Sequence, residues 1–283
     1  MKHEINVLPA PTFRWLKMNG TSLEEALLPQ DQTMLTAEAG EKKFLILMDD
    51  GQQKSLTGKY VLNLEADSEM NVIQVITDSG EEPIIQQIEA DCGENALLHV
   101  FWIFIGGKAV YPSVNVDLSG DGSSFEMDAA YVVHPQGLLD MNVVANHIGK
   151  KTTSRIEAKG VLYDRARKIF RGTIDLRKGC KGASGDEREE VLLMDDEAVN
   201  QTIPLILCSE EDVAGNHGAS IGQIDEDVQF YMESRGITPE EIEQLLLDAR
   251  INAVIAKMPA EVRCTVGSTM GAARSGGKEG TDS

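Results

Sequence analysis

From residue 43 to residue 208 the chain keeps one texture: short apolar or alternating runs, separated by clusters of Gly, Asn, Asp and Ser. Lys43–Met48, Lys59–Leu64, Asn71–Thr77 and Ile84–Ile88 open the series, and Glu190–Met194 and Pro204–Cys208 close it. In Phe170-Arg171-Gly172-Thr173-Ile174-Asp175-Leu176-Arg177 the apolar or small positions share one face and the polar ones the other. Strict alternation is the mark of a strand, and the intervening residues are turn formers. About a dozen such strands with no helical pattern among them predict an all-β core. A sandwich, a barrel and a β-solenoid each satisfy the pattern. The solenoid is attractive because the runs start at similar intervals and no Asn-Gly hairpin turn lies between them, although no strict repeat is visible.

The flanks read differently. Residues 1–35 are interrupted by Pro9, Pro11 and Pro29 and predict a short irregular segment before a core over 36–224. After residue 224 the period becomes helical. Asp225 can cap a first helix whose face carries Ile224, Val228, Tyr231 and Met232, with Gly236 at its end. Thr238 and Glu241 form a capping box, with Pro239 at the first helical position of a second. That second helix carries two apolar stripes: Ile242, Leu245, Leu246, Ala249 and Ala253, and Leu247, Ile251, Val254, Ile255 and Met258. A surface helix needs only one, so the second stripe, in particular Leu247, Ile251, Val254 and Ile255, is expected to meet a partner unless the helix is buried on both sides. The helical segment spans 225–260, and the Gly/Ser-rich stretch 261–283 is expected to be a disordered tail.

Charge narrows the partners. With 26 Lys plus Arg against 46 Asp plus Glu, the formal net charge is −20. Such a chain is a poor match for nucleic-acid phosphates or an anionic membrane surface. No apolar run approaches the roughly 20 residues that cross a bilayer, and the N-terminus lacks a secretory core. The four cysteines are dispersed and are expected to be reduced thiols in a cytoplasm. Cys208, after the run Ile203–Leu207, is the one expected to be packed; Cys92, Cys180 and Cys264 read as incidental or small buried residues.

Several catalytic motifs with a clear mechanism are missing from the sequence. It contains no phosphate-cradling glycine loop, no His-Glu-x-x-His and no zinc-ligand spacing. The chain therefore has no visible nucleotide site, and no catalytic residue is assigned. Among five histidines, His99 lies in an apolar run and reads as a core residue. His217 stands apart, flanked by glycines in Gly215-Asn216-His217-Gly218, where a neutral imidazole could bind iron or another transition metal. By composition alone, such a histidine more often hydrogen-bonds within its turn.

The same stretch carries a resemblance. Asp212-Val213, then Asn216-His217-Gly218-Ala219-Ser220-Ile221-Gly222-Gln223-Ile224-Asp225-Glu226-Asp227, then Phe230-Tyr231-Met232-Glu233-Ser234-Arg235-Gly236-Ile237, resembles the SufB/SufD family of iron–sulfur cluster assembly proteins. His147, Thr153-Ser154, Lys159-Gly160-Val161-Leu162, Phe170–Ile174 and Val199-Asn200-Gln201 agree in order upstream. The resemblance implies a right-handed parallel β-helix with a C-terminal helical segment. It also implies docking of an ABC-type ATPase, SufC, on that segment. A transient iron–sulfur cluster would form where two β-helix subunits meet, the second being SufB-like or another copy of this chain. Gly218 follows the histidine where SufB-like members carry Glu, so the chain is SufD-like. Gly215 stands where SufD-like members often carry Cys, which removes the softer iron ligand. His217 is thus the candidate cluster ligand, with Cys208 a distant second.

Two other functions fit the same strands. β-Helices also host polysaccharide-active enzymes, for which Asp117, Asp128 and Asp175 are the acidic candidates. A plain protein-interaction solenoid needs no metal at all.

Overall fold

The computed structural model describes residues 1–12, 18–48, 56–77 and 80–276. Two short strands, β1 (Lys2–Ile5) and β2 (Thr21–Glu24), pair antiparallel. Fourteen strands then wind into a parallel solenoid. One sheet has the order β15-β13-β11-β9-β7-β5-β3, built from Gln32–Ala37, Gly58–Leu64, Ile84–Cys92, Ala109–Leu118, Leu138–His147, Arg167–Leu176 and Val199–Cys208 for β3 to β15. The other has the order β16-β14-β12-β10-β8-β6-β4, built from Lys42–Met48, Glu69–Ile76, Leu97–Phe104, Ser124–Val133, Thr153–Leu162, Ser184–Leu193 and Ala214–Gly222 for β4 to β16. Helices α1 (Glu226–Ser234), α2 (Pro239–Lys257) and α3 (Ala260–Gly276) follow. The solenoid expectation is met, and the sandwich and barrel are excluded by the parallel order.

Consecutive strands of a sheet lie 26 to 32 residues apart in sequence. The rung repeats by geometry and not by residue identity. One corner shows how. Gly40, Asp67, Asn95, Gly122, Lys151 and Gly182 all take positive φ, between 55° and 76°. Each donates its backbone N–H to a carbonyl of the next rung, at 2.7–3.0 Å. Small or Asx residues suit that conformation, which is why Gly, Asn and Asp punctuate the sequence there.

Inward residues fill the lumen. Phe125, Met127, Ala129, Tyr131 and Val133 of β10 stack on Leu98, Val100, Trp102 and Phe104 of β8, each at most 4% exposed. The outward faces are covered too, from opposite sides. Over the odd-numbered sheet, Ile5 packs with Ile85 and Tyr111, and Leu8 and Met18 pack with Ile203. Arg171 points outward but is fully buried, paired with Asp140 and donating through Nε to the Met18 carbonyl at 2.7 Å. Asp140 also accepts from Thr21 and from Asn6 Nδ2 at 2.9 Å. The segment expected to be irregular is therefore a cover strap, pinned by a buried ion pair.

Over the even-numbered sheet lie α2 and α3. Ile251, Val254, Met258, Val262, Val266 and Met270 pack against Ile73, Val75, Phe101, Ile103 and Ala130. This corrects two expectations. The stripe expected to meet a partner docks on the chain's own sheet: Ile251 and Val254 are 1% and 4% exposed, and Leu247 and Ile255 are partly buried in the same cluster. The stretch expected to be a disordered tail forms α3 through Gly276, because Val262, Val266 and Met270 present one apolar stripe. Residues 277–283 lie outside the described residues.

Polar contacts fix the same helices. Lys257 Nζ donates to Asp128 Oδ1 and Glu157 Oε2, each at 2.6 Å, and Arg250 donates to Glu190 at 2.8 Å. Asp128 also meets His99 at 2.8 Å and Arg155 at 3.1 Å. Burial opposes the Asp128 carboxylate, but hydrogen bonds from His99, Arg155 and Lys257 outweigh it and hold its pKa well below the usual range. His99, Glu126 and Asp128 bring three ligand-type atoms within 4.8 Å of one another. Arg155 and Lys257 already neutralise those carboxylates, so the cluster serves as a clamp for α2 and not as a metal centre.

Candidate functional site at the open end of the solenoid

The last rung consists of β15 and β16, and nothing among the described residues caps it. Every residue of β16 is exposed. An uncapped parallel rung presents unpaired backbone groups along its edge, which in a solenoid calls for a partner. His217 sits in this edge strand, in register with Glu187 of β14. The glycine-rich stretch expected to form a turn is thus a strand. Gly215, Gly218 and Gly222 have no need of left-handed φ there.

Which way His217 faces follows from its neighbours. Gly185, Glu187, Glu189 and Val191 are the buried, inward positions of β14. Their register partners on β16 are Gly215, His217, Ala219 and Ile221. A Cβ on Gly215 would lie 3.1 Å from Ile206 and 3.4 Å from Leu176, both lumen residues. His217 therefore continues the lumen face, exposed because no further rung covers it. Among the described residues none hydrogen-bonds its ring.

Beneath it the lumen turns polar. Lys168 and Glu189, at most 1% exposed as side chains, form an ion pair. Lys168 Nζ also meets Thr202 Oγ1 at 3.0 Å, Thr202 donates to Glu189 at 2.6 Å, and Tyr131 donates to Glu189 at 3.1 Å. Glu187 is 3% exposed and, among the described residues, no group hydrogen-bonds its carboxylate. That carboxylate occupies the space above Gly172 of β13, where a Cβ would come within 2.3–2.5 Å of its atoms. Burial first, and the Glu189 carboxylate second, push the Glu187 pKa up to about 8; Lys168 only partly opposes them. Sequence reasoning passed over Glu187, because a charge run such as Asp186–Glu190 reads as a solvated loop. Alternation within the run was the available signal.

Of the cysteines, Cys208 differs from expectation. Cys208, expected to be packed, is exposed at the end of β15 and its thiol donates to the Glu210 carbonyl. Cys92 and Cys180 are the buried pair, and burial pushes Cys92 up to about 12, so it is no thiolate ligand. Asp117, Asp128 and Asp175, the acidic candidates for a β-helix enzyme, do not converge. Asp128 is bound in the α2 clamp, Asp117 accepts from Asn146 at 2.8 Å, and Asp175 accepts from Arg177 at 3.0 Å.

Two further surfaces flank the open end. An open cleft of about 740 Å³ lies along β12, β14 and β16, where Glu187 and His217 line it together with Lys159, Arg188 and Ser220. Beyond it, α1 and the start of α2 leave large apolar side chains uncovered: Val228 at 48%, Phe230 at 73%, Tyr231 at 58% and Leu245 at 51% exposed. Among the described residues no helix is long and apolar enough to cross a membrane.

Comparison with known proteins is consistent with this arrangement. Residues 21–250 match the family model described as SUF system FeS cluster assembly, SufBD core domain. The iron–sulfur cluster assembly protein SufD of Bacillus subtilis is 30% identical over 145 residues, 51% of this chain and 33% of that protein. A chloroplastic SufBD family protein of Arabidopsis thaliana is 30% identical over 160 residues, 56% of this chain and 28% of that protein. The SufD of Escherichia coli is 23% identical over 214 residues, 75% of this chain and 50% of that protein. The matches thus span half or less of the length of these relatives.

Proposed function

Because this chain belongs to the SufBD core family of iron–sulfur cluster assembly proteins, we propose that it serves as a SufD-like scaffold subunit whose open solenoid end meets a second β-helix subunit. Its role is in cluster assembly, and the family's members are non-catalytic components of that process. The observation that carries the proposal is the fully exposed terminal strand β16, with His217 on its lumen face. An edge of this kind is satisfied by another β-helix, either a SufB-like subunit or a second copy of the chain. His217 and the orphaned Glu187 supply nitrogen and oxygen donors suited to ferrous iron, here the cargo of the reaction.

The ATPase would dock elsewhere than the inner stripe of α2. Val228, Phe230, Tyr231 and Leu245 form the uncovered apolar surface of the helical segment, and large aromatic side chains are the usual anchors of an interface. A SufC-like ABC-type ATPase is the occupant that this reading names. It would bring the ATP hydrolysis that a chain without a phosphate loop does not provide. Anaerobic co-expression with such an ATPase, followed by complex mass and iron content, tests both interfaces. Co-purification without iron would leave a metal-free scaffold arm, a result that Gly215, in place of a thiol, makes a concrete alternative.

A further inference from the structure

We infer that Glu187 and His217 together form a holding site for a divalent transition metal within this single chain, at the mouth of the solenoid lumen. The two residues are register partners on adjacent strands, and both face the lumen. Adjacent strands lie about 4.8 Å apart, so one ion can be shared between two side chains stacked in this way. Gly172 leaves the room into which the Glu187 carboxylate folds.

Charge in the enclosed lumen supports a cation. Glu187 and Glu189 are both buried, and one ammonium, Lys168, is present; it is paired with Glu189. Thr202 and Tyr131 complete the bonding of Glu189, and among the described residues no hydrogen bond reaches the Glu187 carboxylate. A buried carboxylate that no described group hydrogen-bonds, and whose charge Lys168 offsets only in part, is costly unless it is protonated or meets a cation. The next rung places a single imidazole over it and nothing else titratable: Gly215, Ala219 and Ile221 are the other inward residues of β16. One carboxylate and one imidazole, with open positions left for water or a partner's ligands, is a donor set for ferrous iron or its stand-ins and a poor one for Mg²⁺ or Ca²⁺, which prefer oxygen throughout.

The inference rests on the assembly reading only for naming iron as the metal in use. Holding a metal is a property of this chain alone and is measured without a partner. The test is anaerobic titration of the full chain with Co²⁺ alone, read by calorimetry and by the visible Co²⁺ spectrum. We expect one ion per chain. Glu187→Gln, which keeps shape and removes the charge, is expected to weaken binding at least tenfold, and so is His217→Ala. Asp186→Asn, an outward neighbour already paired with Arg188 at 2.8 Å, should leave it unchanged. Unaltered Co²⁺ affinity in either Glu187→Gln or His217→Ala overturns the shared site. His217 lies on an exposed strand, so its variant tests the site even if a Glu187 variant proves unstable. Complex formation with the ATPase is scored separately, so losing the metal site and losing the assembly role give different results.

Discussion

Glu187 and His217 occupy the same lumen position on successive rungs, yet Glu187 is 3% exposed and His217 lies open to solvent. One missing rung makes the difference. The solenoid stops where its interior has just changed from hydrocarbon to carboxylate, ammonium and imidazole. A fold that needed only to be closed would end on an apolar rung under a cap. Here the polar interior is presented at an edge that invites a second subunit.

Restoring the absent thiol should strengthen the site. Gly215 shares the lumen face with His217, and a Cβ there is crowded only by the Ile206 and Leu176 side chains at the open end. Gly215→Cys should add a sulfur-to-Co²⁺ charge-transfer band in the near ultraviolet and tighten binding. A variant that folds and binds Co²⁺ without that band would show the thiol pointing away from the metal.

The inner stripe of α2 should behave as core. Ile251→Ala is expected to lower stability by roughly 2–4 kcal/mol, and Ile251→Asp to cost more by burying a charge against Phe101 and Ile103. Denaturant titration checks both. If Ile251→Asp matched the wild-type midpoint, α2 would not be seated on the sheet in solution.

Why this stripe is core could have been inferred from the strands. Val72–Ile76 and Val100–Phe104 are nearly continuous apolar runs, unlike the alternating Ser113–Leu118. A continuous run means that both sheet faces are covered, and only the C-terminal helices are apolar enough to cover the second. The lumen face was legible because alternation is strict. Arg171 and Thr173 were not, because the Phe170–Arg177 pattern marks them as outward without revealing that the N-terminal strap lies over them. Val262, Val266 and Met270 recur at a four-residue spacing, but the glycines and serines between them hid the stripe of α3. His217 was legible as a residue. Its direction was not, since the lumen face of β16 is set by register with β14.

The N-terminal strap should depend on one ion pair. Asp140→Ala leaves Arg171 buried and unpaired and also removes the acceptor of Asn6 and Thr21. A loss of roughly 3–5 kcal/mol is expected. Limited proteolysis should then cut the strap before the solenoid. A variant as protease-resistant as the wild type would mean that Leu8 and Met18 hold the strap by themselves.

Acid stability should report His147. Its ring is fully buried, with Nδ1 2.8 Å from Thr152 Oγ1 and Nε2 2.9 Å from Ser154 Oγ. Burial pushes its pKa down to about 4, with Asp175 and Thr152 opposing the shift. Between the unfolded value of about 6.5 and that value, the unfolded chain binds the proton and the folded chain does not. Stability therefore falls as pH drops through this window, by up to about 3 kcal/mol from this group. His147→Gln should flatten the pH 6.5-to-4 slope of the unfolding free energy. An unchanged slope would assign the acid sensitivity to other groups.

The most direct test of the assembly role is the native mass and iron content of complexes formed by anaerobic co-expression with a SufC-like ATPase and a SufB-like subunit. The account predicts an iron-containing assembly holding two β-helix subunits and the ATPase. It also predicts that Phe230→Asp, on an exposed position of α1, releases the ATPase while leaving the β-helix pair intact. A wild-type chain that elutes alone, free of ATPase and of any second β-helix subunit, would contradict it.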